Sequence, residues 1–169
     1  IQQALNNGAT RIVADLKYQA DCALLIEEYK QVQFSFVAEP RKALAELSAE
    51  AYGFPARKLK FIGVTGTKGK SSITHMVEHM LKHAGFKTAL IGGITNNILS
   101  DKRPSSLTTP NSDELQHFLA QCVARGVEVV VMEVSSHALV QQRVHGIDFD
   151  AVAFTNLMPD HLDLHQTME

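Results

Sequence analysis

The run from Phe61 to Ser72, which reads FIGVTGTKGKSS, leaves the chain little choice of fold. An apolar, β-prone segment (59–64) feeds a glycine-rich turn, and a helical pattern opens at Lys70. A helix starting directly after such a turn aims its unpaired N–H groups, and the positive end of its dipole, at whatever the turn encloses. Gly66 and Gly69 let the backbone curl around an anion. Lys70 reaches the outer phosphates, and the Ser71 hydroxyl meets an accompanying Mg²⁺. A nucleoside triphosphate is the natural guest. The usual phosphate loop, G-x-x-x-x-G-K-[ST], would put its first glycine at Val64. Here the nearest glycines are Gly63 and Gly66, so the case rests on the strand before and the helix after.

Bulk properties narrow the classes. With 45% apolar and 20% charged residues over 169 positions, this is an ordinary globular composition. A net charge of −2 gives no electrostatic case for nucleic acid or an anionic membrane, so an anionic ligand must be held locally. Cys22 and Cys122 lie in helical apolar patterns without metal-ligand spacing, and read as buried, reduced thiols of a cytoplasmic protein. The apolar run Val129 to Met132 is far too short to span a bilayer. The first residues are already in a helical pattern and the last lack a stop signal, so both ends read as cut.

The chain divides by pattern at 58/59. Residues 1–58 give a helix tail stopped by Gly8, strands at 11–14 and 32–38, and helices at 20–29 and from Pro40 to Ala51. This is too little core to stand alone, and reads as the back half of a small α/β domain. From 59 on, strand, loop and helix repeat, the signature of a parallel sheet covered by helices. Strands are expected at 60–65, 87–91, 127–132 and 149–155, and helices at 70–84, 112–125 and 136–143. Gly85 and Gly126 fall where a helix end wants a left-handed residue. Residues 92–110 read as a long binding connection. In the helix from Lys70, a core stripe of Ile73, Met76, Val77, Met80 and Leu81 leaves His75, His79 and His83 on a solvated face.

Chemistry-bearing groups gather after the strand ends. The strand ending at Glu133 delivers a carboxylate where open parallel sheets bind ligands, able to hold Mg²⁺ opposite Ser71 or simply to be solvated. Ser135, Ser136 and His137 follow, but adjacent residues seldom form a nucleophile–base pair, and no G-x-S-x-G elbow is present. Arg143 suits a carboxylate or phosphate of a second substrate. Asn156 and the run Asp160 to His165 bring more ligating groups to the same edge. His161 is the best candidate for a second divalent ion, while Asp160, Asp163 and His165 read as supporting or capping groups. Thr108 and Thr109 precede a helix, either as caps or as hydroxyls offered to a substrate.

Taken together, these segments resemble the Mur ligases, the ATP-dependent amide ligases of peptidoglycan precursor synthesis. The loop from Thr65 to Ser71 is similar to that family's shortened phosphate loop, with Lys68 where many members carry Asn. The stretch from Met132 to Arg143, with Thr155 to Leu157 and Asp160 to Asp163, is similar to the branch that adds a diamino acid to UDP-N-acetylmuramoyl-L-Ala-D-Glu. The resemblance implies the end of a UDP-binding domain (1–58) and the first part of an ATP-binding central domain (59–169). It implies ATP and Mg²⁺ as cofactors and Lys70, Glu133 and His161 as catalytic groups. Gly66, Thr67, Lys68, Gly69, Lys70, Ser71, Ser72 and Asn156 would hold the nucleotide, and Ser71, Glu133 and His161 the metal. Thr108, Thr109, Ser135, Gln141 and Arg143 would contact the muramoyl dipeptide. It further implies a monomeric enzyme, a carbamylated lysine beyond Glu169, and a fragment inactive by itself. The competing readings are another ligase of the superfamily, such as a folylpolyglutamate synthetase, and a non-catalytic nucleotide-binding module. A GTPase-like switch would need D-x-x-G and N-K-x-D, and the sequence has neither.

Overall fold

A computed structural model describes residues 1–167 of the chain. The chain forms two compact units, residues 1–44 and 45–169, so the division falls inside a helix and earlier than the pattern break at 58.

The first unit holds helix α1 (Gln2–Asn6), strand β1 (Arg11–Asp15), helix α2 (Ala23–Glu28), strand β2 (Gln33–Val37) and the start of α3 (Pro40–Ala51). β1 and β2 pair in parallel, Ile12 opposite Phe34 and Ala14 opposite Phe36. Only Leu5, Ile12 and Ala14 form its buried apolar cluster. After β1, Asp15 accepts the Lys17 N–H at 3.1 Å and caps a short 3-10 turn, and Lys17 holds its carboxyl below the usual range.

The second unit continues with β3 (Lys60–Thr65), α4 (Lys70–His83), β4 (Thr88–Ile91), β5 (Thr95–Ile98), β6 (Asp101–Pro104) and α5 (Ser112–Ala124). β7 (Val129–Glu133), α6 (Ser136–Val140), β8 (Ala151–Phe154) and α7 (Leu162–His165) follow. Its sheet runs β6-β5-β4-β7-β3-β8. β4, β7, β3 and β8 are parallel, as expected of strands joined through helices. The connection over 92–110 is not wholly loop: β5 and β6 form an antiparallel hairpin that extends the sheet past β4. Its polar residues and the proline at Pro104 hid it from periodicity, and both suit an exposed edge strand.

Alternation within the parallel strands sorts the two faces. Phe61, Ala89, Ile91, Val130 and Met132 pack with Leu115, Phe118, Leu119 and Cys122 of α5. Burial pushes the Cys122 thiol up to about 12. On the other face lie Val64, Leu90 and Val131, all fully buried, and α4 packs against β3, β4 and β7. Each such side chain contributes about 1.5–3 kcal/mol.

The expected core stripe of α4 is corrected by the structure. Met76 and Met80 are 64% and 68% exposed, while Thr74 and Glu78 are buried. The branched side chains of the sheet already fill this face, so the helix turns its small Thr74 toward it. Lys82, 2.8 Å from the Glu78 carboxylate, offsets the buried charge. His79 and His83 are exposed, as expected. Gly85 and Gly126 do take positive φ (+90° and +71°) beyond their helices.

Candidate functional site

β3 empties at Thr65 into the glycine turn, and α4 starts with Gly69 as its left-handed N-cap (φ +88°). Gly66 has φ +128°, and a Cβ there would collide with the Thr155 hydroxyl and the Asn156 backbone. Only glycine serves at that position. The Lys70 ammonium donates to the carbonyls of Gly66 at 2.7 Å and Thr67 at 3.1 Å, so the loop closes around its own cation.

The segment after β8 straps this loop down. Asn156 accepts the Lys68 N–H through Oδ1 and donates through Nδ2 to the Lys68 carbonyl, each at 3.0 Å. The Asn156 carbonyl accepts the Thr67 N–H at 3.0 Å. Thr155 Oγ1 donates to the Lys68 carbonyl at 2.7 Å, and the Met158 N–H donates to the Thr67 hydroxyl at 3.0 Å. The amide of Asn156 thus braces the loop backbone, where sequence reasoning expected it to face the nucleotide. The brace at Thr155 and Met158 was missed altogether.

β7 lies beside β3 and ends on the same rim. It delivers Glu133, 2% exposed, whose Oε1 accepts the Gly93 N–H at 2.9 Å. A Cβ on Gly92 would stand 2.5 Å from that oxygen, so the Gly92–Gly93 pair makes the carboxylate's berth. The glycine pair directly after β4 was the sequence signal for it, and it was overlooked. Among the described residues the side-chain hydrogen bond of Glu133 is made by Oε1 alone, which leaves Oε2 as one uncommitted hard oxygen on this rim.

Thr109 is fully buried. Its hydroxyl donates to the Glu133 carbonyl at 2.8 Å and accepts the Ser135 N–H at 3.1 Å. That occupies it within the protein, contrary to the expectation of a substrate contact. Thr108 is half-buried against Gly93. Ser135 caps α6 by accepting the Ala138 N–H. Arg143 donates through Nη1 to the Thr109 carbonyl at 2.7 Å, and through Nε and Nη2 to Gln141 Oε1 at 3.2 and 2.8 Å. Gln142 between them is left-handed at φ 55°, a costly conformation for a non-glycine residue. Thr109, Ser135, Gln141 and Arg143 thus form one connected network.

A cavity of about 440 Å³ opens beside the loop, with Gly66, Thr67, Lys70, Ser135, Asp160 and His161 in its wall. His161 is left-handed (φ 52°), and its ring meets that of His137 edge to face at 4.4 Å. His165, also in the wall, has a buried Nε2 without a hydrogen-bond partner among the described residues. Lys70 and His161 share this cavity, whereas Glu133 and Ser71 are not among its lining residues. Among the described residues no group of three or more His, Cys, Asp or Glu is arranged to hold a metal. Magnesium needs no such cage, since it keeps waters and phosphate oxygens alongside one or two protein oxygens.

A mostly parallel sheet in which an inner strand, β3, runs through a glycine turn into a helix, with an acid at the end of the neighbouring strand, defines an α/β domain of the phosphate-loop class. More narrowly, the chain belongs to the Mur ligase middle-domain family, whose sequence profile matches residues 64–169. A UDP-N-acetylmuramoyl-L-alanyl-D-glutamate--2,6-diaminopimelate ligase from Bacillus licheniformis is 45% identical over 168 residues, covering 99% of this chain and 32% of its own length. One of the same description from Clostridium tetani is 44% identical over 169 residues, covering all of this chain and 34% of itself. The chain therefore spans about a third of the length of these relatives. A solved structure described as the same ligase superposes with a TM-score of 0.70 at 23% identity, over 90% of this chain and 34% of the other. That likeness is one of fold. No described helix is long and apolar enough to cross a membrane.

Proposed function

We propose that the chain is the phosphate-loop part of an ATP-dependent ligase that joins a diamino acid to UDP-N-acetylmuramoyl-L-Ala-D-Glu. The observation that carries this reading is a shared rim. The curled loop with Lys70, the buried Glu133 and the Gln141–Arg143 anchor all follow the C-terminal ends of adjacent parallel strands. The relatives' names give 2,6-diaminopimelate as the amino acid, and we extend it to this chain.

In this reading Lys70 leaves the loop carbonyls for the outer phosphates, while the N–H groups at the α4 N-terminus hold the rest, those of Thr67 and Lys68 being taken by Asn156. Ser71 and the free oxygen of Glu133 would hold Mg²⁺, with His161 toward a second ion, and bound metal would neutralise phosphate charge. Arg143, set by Gln141 and Thr109, fixes an anionic group of the muramoyl dipeptide, with Ser135 and Thr108 alongside. The side-chain carboxylate of D-Glu attacks the γ-phosphorus of ATP, and ADP leaves. The amine of the diamino acid then attacks the acyl carbon, losing a proton as phosphate departs and the amide forms. Neither step needs a covalent enzyme nucleophile. Alignment and charge stabilisation suffice, and the rim supplies both. ATP and buried thiols suit a cytoplasmic enzyme, which we read as a monomer.

The test is Lys70→Ala in the full-length ligase. ATP-dependent amide formation should fall by at least about a hundredfold, the scale of losing one preorganised charge-stabilising group, with an unchanged circular dichroism spectrum. Turnover at the wild-type rate would remove the loop assignment.

A further inference from the structure

The face of α4 turned away from the sheet carries a side-chain cluster that the ligase reading does not use. Thr74 and Glu78 bury the opposite side of the helix, which leaves Met76, His79, Met80 and His83 outward, all four exposed. At 3.6 residues per turn, these four fall within an arc of about 100°. Met76 and His79, like Met80 and His83, are i,i+3 neighbours; Met76 and Met80, like His79 and His83, are i,i+4 neighbours. Each corner of the patch thus meets two others at the spacing where helical side chains touch. We propose that this face of α4 binds a soft monovalent metal cation of the copper(I) class.

The donors set the class of ion. Thioether sulfur with imidazole nitrogen suits copper(I), whereas magnesium and calcium want oxygens, and zinc takes thiolate, imidazole or carboxylate. The patch offers two of the His, Cys, Asp and Glu side chains that a zinc-type site gathers in threes or fours, and its other half is thioether. Charge points the same way, because all four donors are neutral when bound. Glu78, the single acid of α4, is buried and paired with Lys82 at 2.8 Å. The helix therefore supplies nothing to offset the second charge of a divalent ion.

The donors are also available. Neither the His79 nor the His83 ring has a hydrogen-bond partner among the described residues. His75, one turn earlier, is half-buried and donates through Nδ1 to the Ser71 carbonyl at 2.8 Å, which leaves it outside the patch. Methionine is unbranched and flexible, so the two sulfurs can close on an ion held between the two rings. His83 is the last residue of α4, where the negative end of the helix dipole favours a cation.

Silver(I), which has the same charge and donor preference and no redox chemistry here, is the probe. Silver nitrate is titrated in chloride-free buffer into the 169-residue chain labelled with ¹³C at its methionine methyls. The Met76 and Met80 methyl signals should shift together and saturate, while that of Met132, in the core cluster with Cys122, stays in place. Thiolates compete for silver, so the titration is repeated on the chain carrying Cys22→Ala and Cys122→Ala. Absence of a saturable shift at Met76 and Met80 in both chains would overturn the proposal. His79→Ala and His83→Ala should each weaken silver binding at least about tenfold, the scale of losing one group from a metal site. Met76→Leu with Met80→Leu should do the same while leaving zinc(II) binding unchanged. All four positions are exposed, so these variants keep the fold. Zinc(II) binding as tightly as silver(I), or silver affinity surviving loss of both methionines or of either histidine, would equally overturn it. None of these readouts depends on ligase activity, so this site and the ligase reading fail separately.

Discussion

Gly92 shows how finely one residue sets the site. Its Cα faces Glu133 Oε1 so closely that an added Cβ would lie 2.5 Å from that oxygen. Gly92→Ala should therefore cost about 1–3 kcal/mol through overpacking, read as a lowered thermal midpoint. Glu133→Asp in the same chain, by withdrawing the carboxylate one methylene, should recover part of that loss, and a double-mutant cycle measures the coupling. Cys122 makes a different prediction. Its folded thiol keeps its proton to about 12, against an ordinary value of 9.0, because burial penalises the thiolate. Between those values the unfolded chain binds fewer protons than the folded one, so stability is intact below pH 9 and falls as pH rises. The slope is about 1.4 kcal/mol per pH unit for this one group. Comparing denaturant unfolding of the wild type and Cys122→Ala from pH 8.5 to 10.5 should show a steeper fall in the wild type, the difference being this group's share.

At the scale of elements, the phosphate loop depends on a strand far from it in sequence. Asn156 grips the Lys68 peptide at both ends. Asn156→Ala should loosen the loop and, on the proposed function, weaken ATP binding by roughly 0.5–1.5 kcal/mol, the net worth of a hydrogen bond near solvent. Calorimetric titration should show this while the far-ultraviolet spectrum stays unchanged. How far the sequence disclosed such elements follows from what periodicity encodes. The parallel strands and α5 were legible because apolar runs and β-branched residues mark burial on both faces. The β5–β6 hairpin was not, since TNNI and DKRP carry an edge strand's polar composition. The buried side of α4 was misread because two methionines outweighed Thr74 in apolar character, while close helix–sheet approach favoured the smaller residue. At the candidate site, residue types singled out Lys70, Glu133 and Arg143, which follow or end the neighbouring strands β3 and β7. The occupied hydroxyl of Thr109 and amide of Asn156 depend on contacts between distant segments, which no local pattern records.

Across the whole molecule, the two compact units differ in how much they bury. The first has three residues in its apolar cluster and a two-stranded sheet, and the second a six-stranded sheet with cores on both faces. Amide exchange should follow that difference. Ile12 and Ala14 should exchange at least about a hundredfold faster than Val130 and Met132, because local opening scales with buried contact. Comparable protection in both would show that the small unit borrows stability its own cluster does not supply. Within the larger unit, β8 is an edge strand and, among the described residues, pairs with β3 alone. The braces on the phosphate loop hang from the residues just beyond it. Sheets fray from their margins inward, so on warming the hold on the glycine loop slackens while the interior strands are still whole. Whatever lies along that outer margin governs how firmly the loop keeps its shape.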